Sequence, residues 1–191
     1  MTVTAHQANQ VLAKADVLFD AKAVDNALDK MTLAISEKFI NDELLLLCVM
    51  VGGLVPAAGL FTRLQRPVQL DYLHATRYNG GLVGQELTWL HKPDIDLSGR
   101  IILVVDDILD EGITLAAILH YCKQQGARAV YSAVLVEKVH DRKVPGLSAD
   151  FIGLQVEDRY VFGCGMDYHG YMRNLTSIYA VNDCEEVECQ K

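Results

Sequence analysis

The 191-residue sequence lacks the features that mark several large classes of protein. It has no stretch of about 18 apolar residues without a charge, which a membrane-spanning helix needs. Residues 1–15 are polar and mixed, without the apolar segment of a signal peptide. The histidines form no HxxxH or HExxH pattern, so that kind of zinc site has little support. We therefore expect a cytoplasmic protein with no membrane partner.

Basic residues are also fewer than acidic ones, which gives a formal net charge of -8. A nucleic-acid-binding surface normally needs a basic face, so we expect no nucleic-acid partner. An anionic small molecule is still possible, since backbone amides, lysines and magnesium can hold phosphate inside an acidic protein. Five cysteines form no paired framework. Cys48 and Cys122 lie in apolar patterns and are predicted to be buried thiols, whereas Cys184 and Cys189 lie in an acidic tail without an assigned role.

Hydrophobic residues make up 51% of the chain, enough for one substantial core. Apolar spacing of three and four residues predicts a helix at 21–39, and further helices are expected at 54–65 and 114–125. Short apolar runs predict strands at 44–50, 68–74, 101–105, 130–136 and 151–154. Alternating strands and helices indicate an α/β fold with a parallel sheet flanked by helices. Residues 4–20 are predicted to form a helix and a turn, and residues 75–90 a long loop with hairpin character as the alternative.

Residues 101–115, IILVVDDILDEGITL, carry the clearest chemical pattern. A buried strand is followed by two adjacent carboxylates, a third carboxylate, a glycine and the start of a helix. Loops at the carboxyl ends of parallel strands bind ligands, and a helix start presents unpaired amides to an anion. Residues 110–115 are therefore predicted to hold a phosphate group. Asp106 and Asp107 would repel phosphate but suit hydroxyl donors or magnesium, so ribose 5-phosphate fits both features.

Residues 104–115 resemble the ribose-phosphate-binding motif of type I phosphoribosyltransferases. The resemblance implies that fold in one domain, residues 1–191, with a core of about 21–154 and a small hood of about 1–20 plus 155–191. It also implies that Asp106 and Asp107 face the ribose hydroxyls, directly or through Mg²⁺, and that Asp110 is the general base near purine N7. The implied ribose and phosphate site comprises Asp106, Asp107, Asp110, Glu111, Gly112, Ile113 and Thr114.

Three further segments narrow the resemblance to the hypoxanthine-guanine members of that family. Residues 50–53 are similar to the pyrophosphate loop, with Val51 where a lysine is common and a cis peptide is expected. Residues 134–138 end a predicted strand as the family's purine-contacting lysine segment does. Residues 158–168, followed by Arg173, are similar to the family's purine and magnesium segment.

The resemblance assigns a role to each of these positions. The implied pyrophosphate site is Val51, Gly52, Arg77 and Arg173. Arg77 departs from the family's commoner version of its loop, which has serine there, and our hypothesis is that it supplies the charge that Val51 does not. The implied purine site is Lys138, Tyr160, Val161 and Asp167. Lys138 would bind the 6-oxygen, which disfavours adenine, and Tyr160 would stack on the ring. The implied magnesium ligands are Asp106, Asp107 and Asp167.

The implied activity is purine salvage: transfer of the 5-phosphoribosyl group from phosphoribosyl pyrophosphate to a 6-oxopurine base, giving IMP or GMP plus pyrophosphate. By analogy with the family, we expect a homodimer or homotetramer. Three alternatives stay open at this point. They are a regulatory protein of the same fold that binds nucleotides and RNA, a phosphate-accepting receiver domain, and a related transferase acting on xanthine, uracil or adenine.

Overall fold

The computed structural model describes residues 3–77 and 87–182. Cys184 and Cys189 lie outside these residues, and so does the side chain of Arg77. No helix in the described ranges is both long and apolar enough to cross a membrane.

Four helices and nine strands alternate along most of the described chain. The helices are α1 (Ala5–Leu12), α2 (Ala21–Lys38), α3 (Leu54–Arg63) and α4 (Ile113–Gln124). The strands are β1 (Asp16–Phe19), β2 (Leu44–Met50), β3 (Val68–Arg77), β4 (Leu87–His91), β5 (Ile101–Leu109), β6 (Ala129–Lys138), β7 (Phe151–Val156), β8 (Val161–Phe162) and β9 (Ile178–Ala180).

The main sheet has six strands in the order β4-β3-β2-β5-β6-β7. All neighbouring pairs are parallel except β3 and β4. From β2 the chain continues outward through α3 to β3, whereas from β5 it continues in the opposite direction through α4 to β6. The strand order therefore reverses between β2 and β5, and loops at such a switch point leave a crevice at the carboxyl ends of the strands.

Helices cover both faces of this sheet, which explains its continuous apolar strands. Leu44, Leu46 and Cys48 of β2 belong to the core beneath α2 and α3. Leu45 and Leu47 of β2 belong to the second core, beneath α4. Alternate residues of one strand thus face opposite helical layers, as the two-residue repeat of a strand requires.

The predicted α/β fold with a mostly parallel, helix-flanked sheet is confirmed. Cys48 and Cys122 are buried thiols as predicted, and burial raises the pKa of Cys48 to about 12. Strands β3, β5, β6 and β7 continue beyond the predicted ends, because ladder pairing extends past the apolar runs.

The prediction of a helix and a turn over residues 4–20 was wrong in its second half. A helix does begin after Thr4, which caps it by accepting the N–H of Gln7. The following residues form β1, which pairs with β9 from the far end of the chain, Asp16 opposite Ala180. β9 also pairs with β8, giving a second sheet in the order β1-β9-β8.

Residues 75–90 were also only partly anticipated. The segment begins with the last residues of β3 and ends in β4, and the two strands pair antiparallel, in agreement with the alternative of hairpin character. Trp89 of β4 packs against Tyr121 of α4, with ring centroids 4.5 Å apart. Tyr72 of β3 stacks on His91 of β4 at 4.1 Å. Trp89 and Tyr72 thus each pack against a ring of a neighbouring element.

Candidate active site

The loops after β2, β5 and β6 converge at the carboxyl ends of the main sheet. Two cavities, of about 440 and about 200 Å³, adjoin there and share Asp107, Ile108, Asp110 and Asp167 among their lining residues. The topology dictates this position, because parallel strands deliver their following loops to one edge of the sheet.

The loop between β5 and α4 forms one wall of the larger cavity. Gly112 precedes the first residue of α4 with φ +82°, a conformation that suits glycine, and no side chain within the described ranges caps the helix start there. The first amides of α4 are thus available to an anion, and the side chain of Thr114 lines the same cavity. Ile113 begins the helix, and the carbonyl oxygen of Glu111 accepts the Val144 N–H at 2.9 Å, which anchors the loop.

Two adjacent carboxylates near the end of β5 form the floor of the larger cavity. The Asp107 N–H donates to the Asp106 carboxylate at 2.9 Å, and the Ile108 N–H donates to the Asp107 carboxylate at 2.8 Å. Burial, followed by repulsion from Asp107, raises the pKa of Asp106 well above its ordinary value, and burial also raises the pKa of Asp107. Because burial disfavours the ionised form of both carboxyl groups, a cation or hydroxyl donors beside them would stabilise this pair.

The loop after β2 approaches the acid pair closely because it carries no side chain at Gly52. A Cβ atom at Gly52 would lie 2.0 Å from Asp107 Oδ2, and one at Gly165 would lie 2.2 Å from the Gly52 carbonyl oxygen. The adjacent Met50–Val51 peptide is cis, as the resemblance implied. Val51 and Gly52 both line the larger cavity.

Arg173 connects two of the predicted magnesium ligands. Its Nη2 lies 2.6 Å from Asp167 Oδ1, and its Nη1 lies 3.7 Å from Asp107 Oδ2. Nη1 also donates to the Gly165 carbonyl oxygen at 2.6 Å. A cationic group therefore already lies between these carboxylates, which indicates that the geometry suits positive charge.

The smaller cavity contains all four residues of the predicted purine site: Lys138, Tyr160, Val161 and Asp167. The Tyr160 ring packs edge-on against Tyr168, with centroids 5.6 Å apart. The structure thus brings together the predicted ribose, phosphate and purine residues around Asp110. The backbone of Arg77 ends β3, but the predicted role of its side chain falls outside what the structure describes.

Asp110 lies between the two cavities and accepts two hydrogen bonds. Lys138 Nζ lies 2.9 Å from Asp110 Oδ2, and His140 Nε2 lies 2.8 Å from Asp110 Oδ1. Burial alone would raise the pKa of Asp110, but the hydrogen bonds from Lys138 and His140 outweigh it and hold the pKa below its ordinary value. The carboxylate is therefore ionised at neutral pH.

Sequence reasoning missed His140 and Asp158 at this site. Asp158 accepts both arms of the Arg142 guanidinium, at 2.6 and 3.0 Å. Asp110, His140 and Asp158 have ligand atoms within 4.8 Å of one another, as a metal site would. Lys138 and Arg142 already neutralise the two carboxylates, and magnesium prefers oxygen to imidazole, so the Asp106–Asp107 pair is the better candidate for that ion.

Comparisons with known proteins agree with this geometry. Residues 14–169 match the model of the phosphoribosyl transferase domain. A hypoxanthine-guanine phosphoribosyltransferase of Aquifex aeolicus is 32% identical over 133 residues, covering 69% of this chain and 74% of the relative. A hypoxanthine-guanine-xanthine phosphoribosyltransferase of Tritrichomonas foetus is 26% identical over 85% of this chain and 88% of the relative. The crystal structure of a hypoxanthine-guanine phosphoribosyltransferase from Bacillus anthracis superposes with a TM-score of 0.80 at 26% identity, covering 87% of this chain and 97% of that one.

Proposed function

The chain belongs to the phosphoribosyltransferase family, and from this premise we propose that it transfers the 5-phosphoribosyl group of phosphoribosyl pyrophosphate to hypoxanthine or guanine, yielding IMP or GMP plus pyrophosphate. The observation that carries the proposal is the meeting of two cavities at Asp110. One has the amides and acids that a ribose phosphate needs, and the other has the lysine and tyrosine that an oxopurine needs.

In the larger cavity, the amides at the start of α4 and the Thr114 hydroxyl bind the 5′-phosphate. Asp106 and Asp107 face the ribose 2′- and 3′-hydroxyls and would hold Mg²⁺ together with Asp167. When bound, this ion would neutralise and orient the pyrophosphate group. Hard carboxylate oxygens and the raised pKa values of Asp106 and Asp107 fit such an ion.

The leaving pyrophosphate is held by the loop after β2 and by Arg173. The Gly52 backbone can approach the ligand because no side chain intervenes, and Arg173 supplies a delocalised positive charge. We retain the hypothesis that Arg77 adds charge where Val51 does not. Unchanged pyrophosphate affinity in Arg77→Ala would contradict it.

In the smaller cavity, Lys138 donates to the purine 6-oxygen, Tyr160 stacks on the ring and the Val161 backbone binds the ring edge. The purine N9 forms a bond to ribose C1 while the bond from C1 to the pyrophosphate oxygen breaks, and pyrophosphate leaves with the electron pair. Asp110 accepts the proton from N7 as N9 becomes bonded. Exclusion of water by the bound substrates would protect the cationic C1 centre from hydrolysis.

The proposal is tested by following absorbance with phosphoribosyl pyrophosphate and magnesium, with hypoxanthine, guanine, xanthine and adenine in parallel. We expect turnover of hypoxanthine and guanine, and loss of turnover with a chelator. The relative from Tritrichomonas foetus is named for xanthine as well, so xanthine is the second candidate base. Tight binding of ribose 5-phosphate without turnover of any base would instead favour a regulatory protein of this fold.

We also propose a cytoplasmic homodimer or homotetramer in which a core of about 21–154 carries a hood of about 1–20 plus 155–191. The second sheet supports this division, because β1 and β9 bring the two chain ends together. Exposed apolar side chains on α3 and β3, such as Leu54 and Leu70, support self-association. Light scattering after size exclusion tests the oligomeric state, and a monomer at all concentrations would contradict it.

A further inference from the structure

His140 is a buried residue that none of the roles above uses. Its side chain is only 4% exposed, and its Nε2 lies 2.8 Å from Asp110 Oδ1. The other carboxylate oxygen, Oδ2, is bound by Lys138. Each oxygen of the proposed general base therefore has its own partner.

A second contact fixes which ring nitrogen of His140 carries the proton. The backbone N–H of Arg142 donates to His140 Nδ1 at 3.1 Å, so Nδ1 acts as an acceptor and carries no proton. The proton of the neutral imidazole is then on Nε2, where it is donated to Asp110. The turn after β6 thus sets the tautomer that the carboxylate needs.

The direction of the chain explains why Lys138 and His140 both reach Asp110. Residues two positions apart in an extended segment point to the same side, and Val139 between them is 58% exposed on the other side. The Val139 N–H donates to the Val156 carbonyl oxygen at 2.8 Å, which keeps the segment extended past the end of β6. The last residues of β5 lie beside this segment, with Leu109 opposite Glu137.

The two donors differ in what base binding does to them. Lys138 is the residue that would move toward the purine 6-oxygen, and its bond to Asp110 Oδ2 would weaken or break. His140 is not among the residues that line the smaller cavity, so it can keep Asp110 Oδ1 in place while a base is bound there. Oδ2 is then free to face the N7 hydrogen.

We infer that His140 is a positioning residue for the transfer reaction: it holds one oxygen of Asp110 through a fixed Nε2–H tautomer, so that the other oxygen accepts the proton of the base. The inference rests on the proposed function, because it acts through the Asp110 role. It adds to the site an aspartate–histidine pair, in which the turn after β6 contributes the histidine.

The test compares three variants by steady-state kinetics and by calorimetric binding of phosphoribosyl pyrophosphate. His140→Phe keeps a ring but no donor, and we expect kcat to fall roughly 10- to 100-fold, the usual effect of a lost hydrogen bond to a charged group, with unchanged phosphoribosyl pyrophosphate affinity. His140→Gln places an amide donor near the Nε2 position and should recover most of kcat. His120→Phe, on the exposed side of α4, is the matched control and should behave as wild type.

A wild-type kcat in His140→Phe would overturn the inference, and so would an equal loss of kcat in His140→Gln and His140→Phe. If His140→Phe does not fold, nitrogen NMR of the wild-type imidazole decides. Protonated Nε2 with bare Nδ1 supports the inference, and the opposite tautomer overturns it. Absence of wild-type turnover with every base would refute the proposed function itself. Normal wild-type turnover together with an unchanged kcat in His140→Phe would refute only this inference.

Discussion

Replacing Asp110 with asparagine tests the central assignment of the site. The substitution keeps the size of the side chain but removes its charge and one acceptor. Asp110 accepts hydrogen bonds from Lys138 at 2.9 Å and from His140 at 2.8 Å. The NH2 group of the asparagine would therefore lie opposite one of these two donors and could not accept its hydrogen bond. Loss of a positioned general base typically lowers turnover by about 100- to 10,000-fold, and we expect kcat to fall within that range.

Phosphoribosyl pyrophosphate binding should be much less affected by Asp110→Asn. In the proposed function the phosphate is bound by the start of α4 and the ribose by Asp106 and Asp107, and the substitution leaves these cavity-lining groups in place. The assay combines kcat from absorbance with the dissociation constant from calorimetry. Asp141→Asn, an exposed acid in the neighbouring loop, is the control for a general loss of negative charge. Equal losses of kcat and of phosphoribosyl pyrophosphate affinity in Asp110→Asn would refute the base role.

Three further substitutions test the cavity walls and the core. In Gly52→Ala the new Cβ would lie 2.0 Å from Asp107 Oδ2, so the carboxylate must shift; we expect kcat to fall on the order of 100-fold with an unchanged circular dichroism spectrum. Lys138→Met removes the ammonium group but keeps the chain length, and should raise KM for hypoxanthine roughly tenfold or more without changing KM for phosphoribosyl pyrophosphate, as initial rates will show. Leu103→Ala opens a cavity at a fully buried position and should lower the free energy of unfolding by about 2–5 kcal/mol in urea titrations. Leu33 is 62% exposed, so Leu33→Ala should change that free energy by less than about 0.5 kcal/mol.

The part of the site that lies within one short segment could be predicted from the sequence. In residues 101–115 the strand, the acids, Gly112 and the helix start follow one another, so local conformation alone places them at one cavity. The apolar runs of β2, β5 and β6 similarly indicate burial on both faces, because side chains on both faces of each strand pack in a core beneath helices.

Features that depend on distant pairings could not be predicted in this way. β8 and β9 have two and three residues, too few for a periodic pattern, and they exist because β9 pairs with β1 across the whole length of the chain. The contact between His140 and Asp110 joins residues 30 positions apart. Its one local signal is the two-residue spacing from Lys138, which becomes informative once that segment is known to be extended.

The charge distribution explains how an acidic chain can bind an anionic substrate. The net charge is -8, but three carboxylates of the site are matched by their own cations: Asp110 by Lys138, Asp158 by Arg142 and Asp167 by Arg173. The acid pair of β5 differs, because Asp107 shares Arg173 with Asp167 at the longer distance of 3.7 Å, and burial raises the pKa of both acids. Negative charge is thus least compensated where the ribose and the pyrophosphate would meet. Phosphoribosyl pyrophosphate brings more negative charge to that place, so its binding would be unfavourable without a divalent cation. The acid pair is therefore a reason for metal dependence rather than an obstacle to substrate binding.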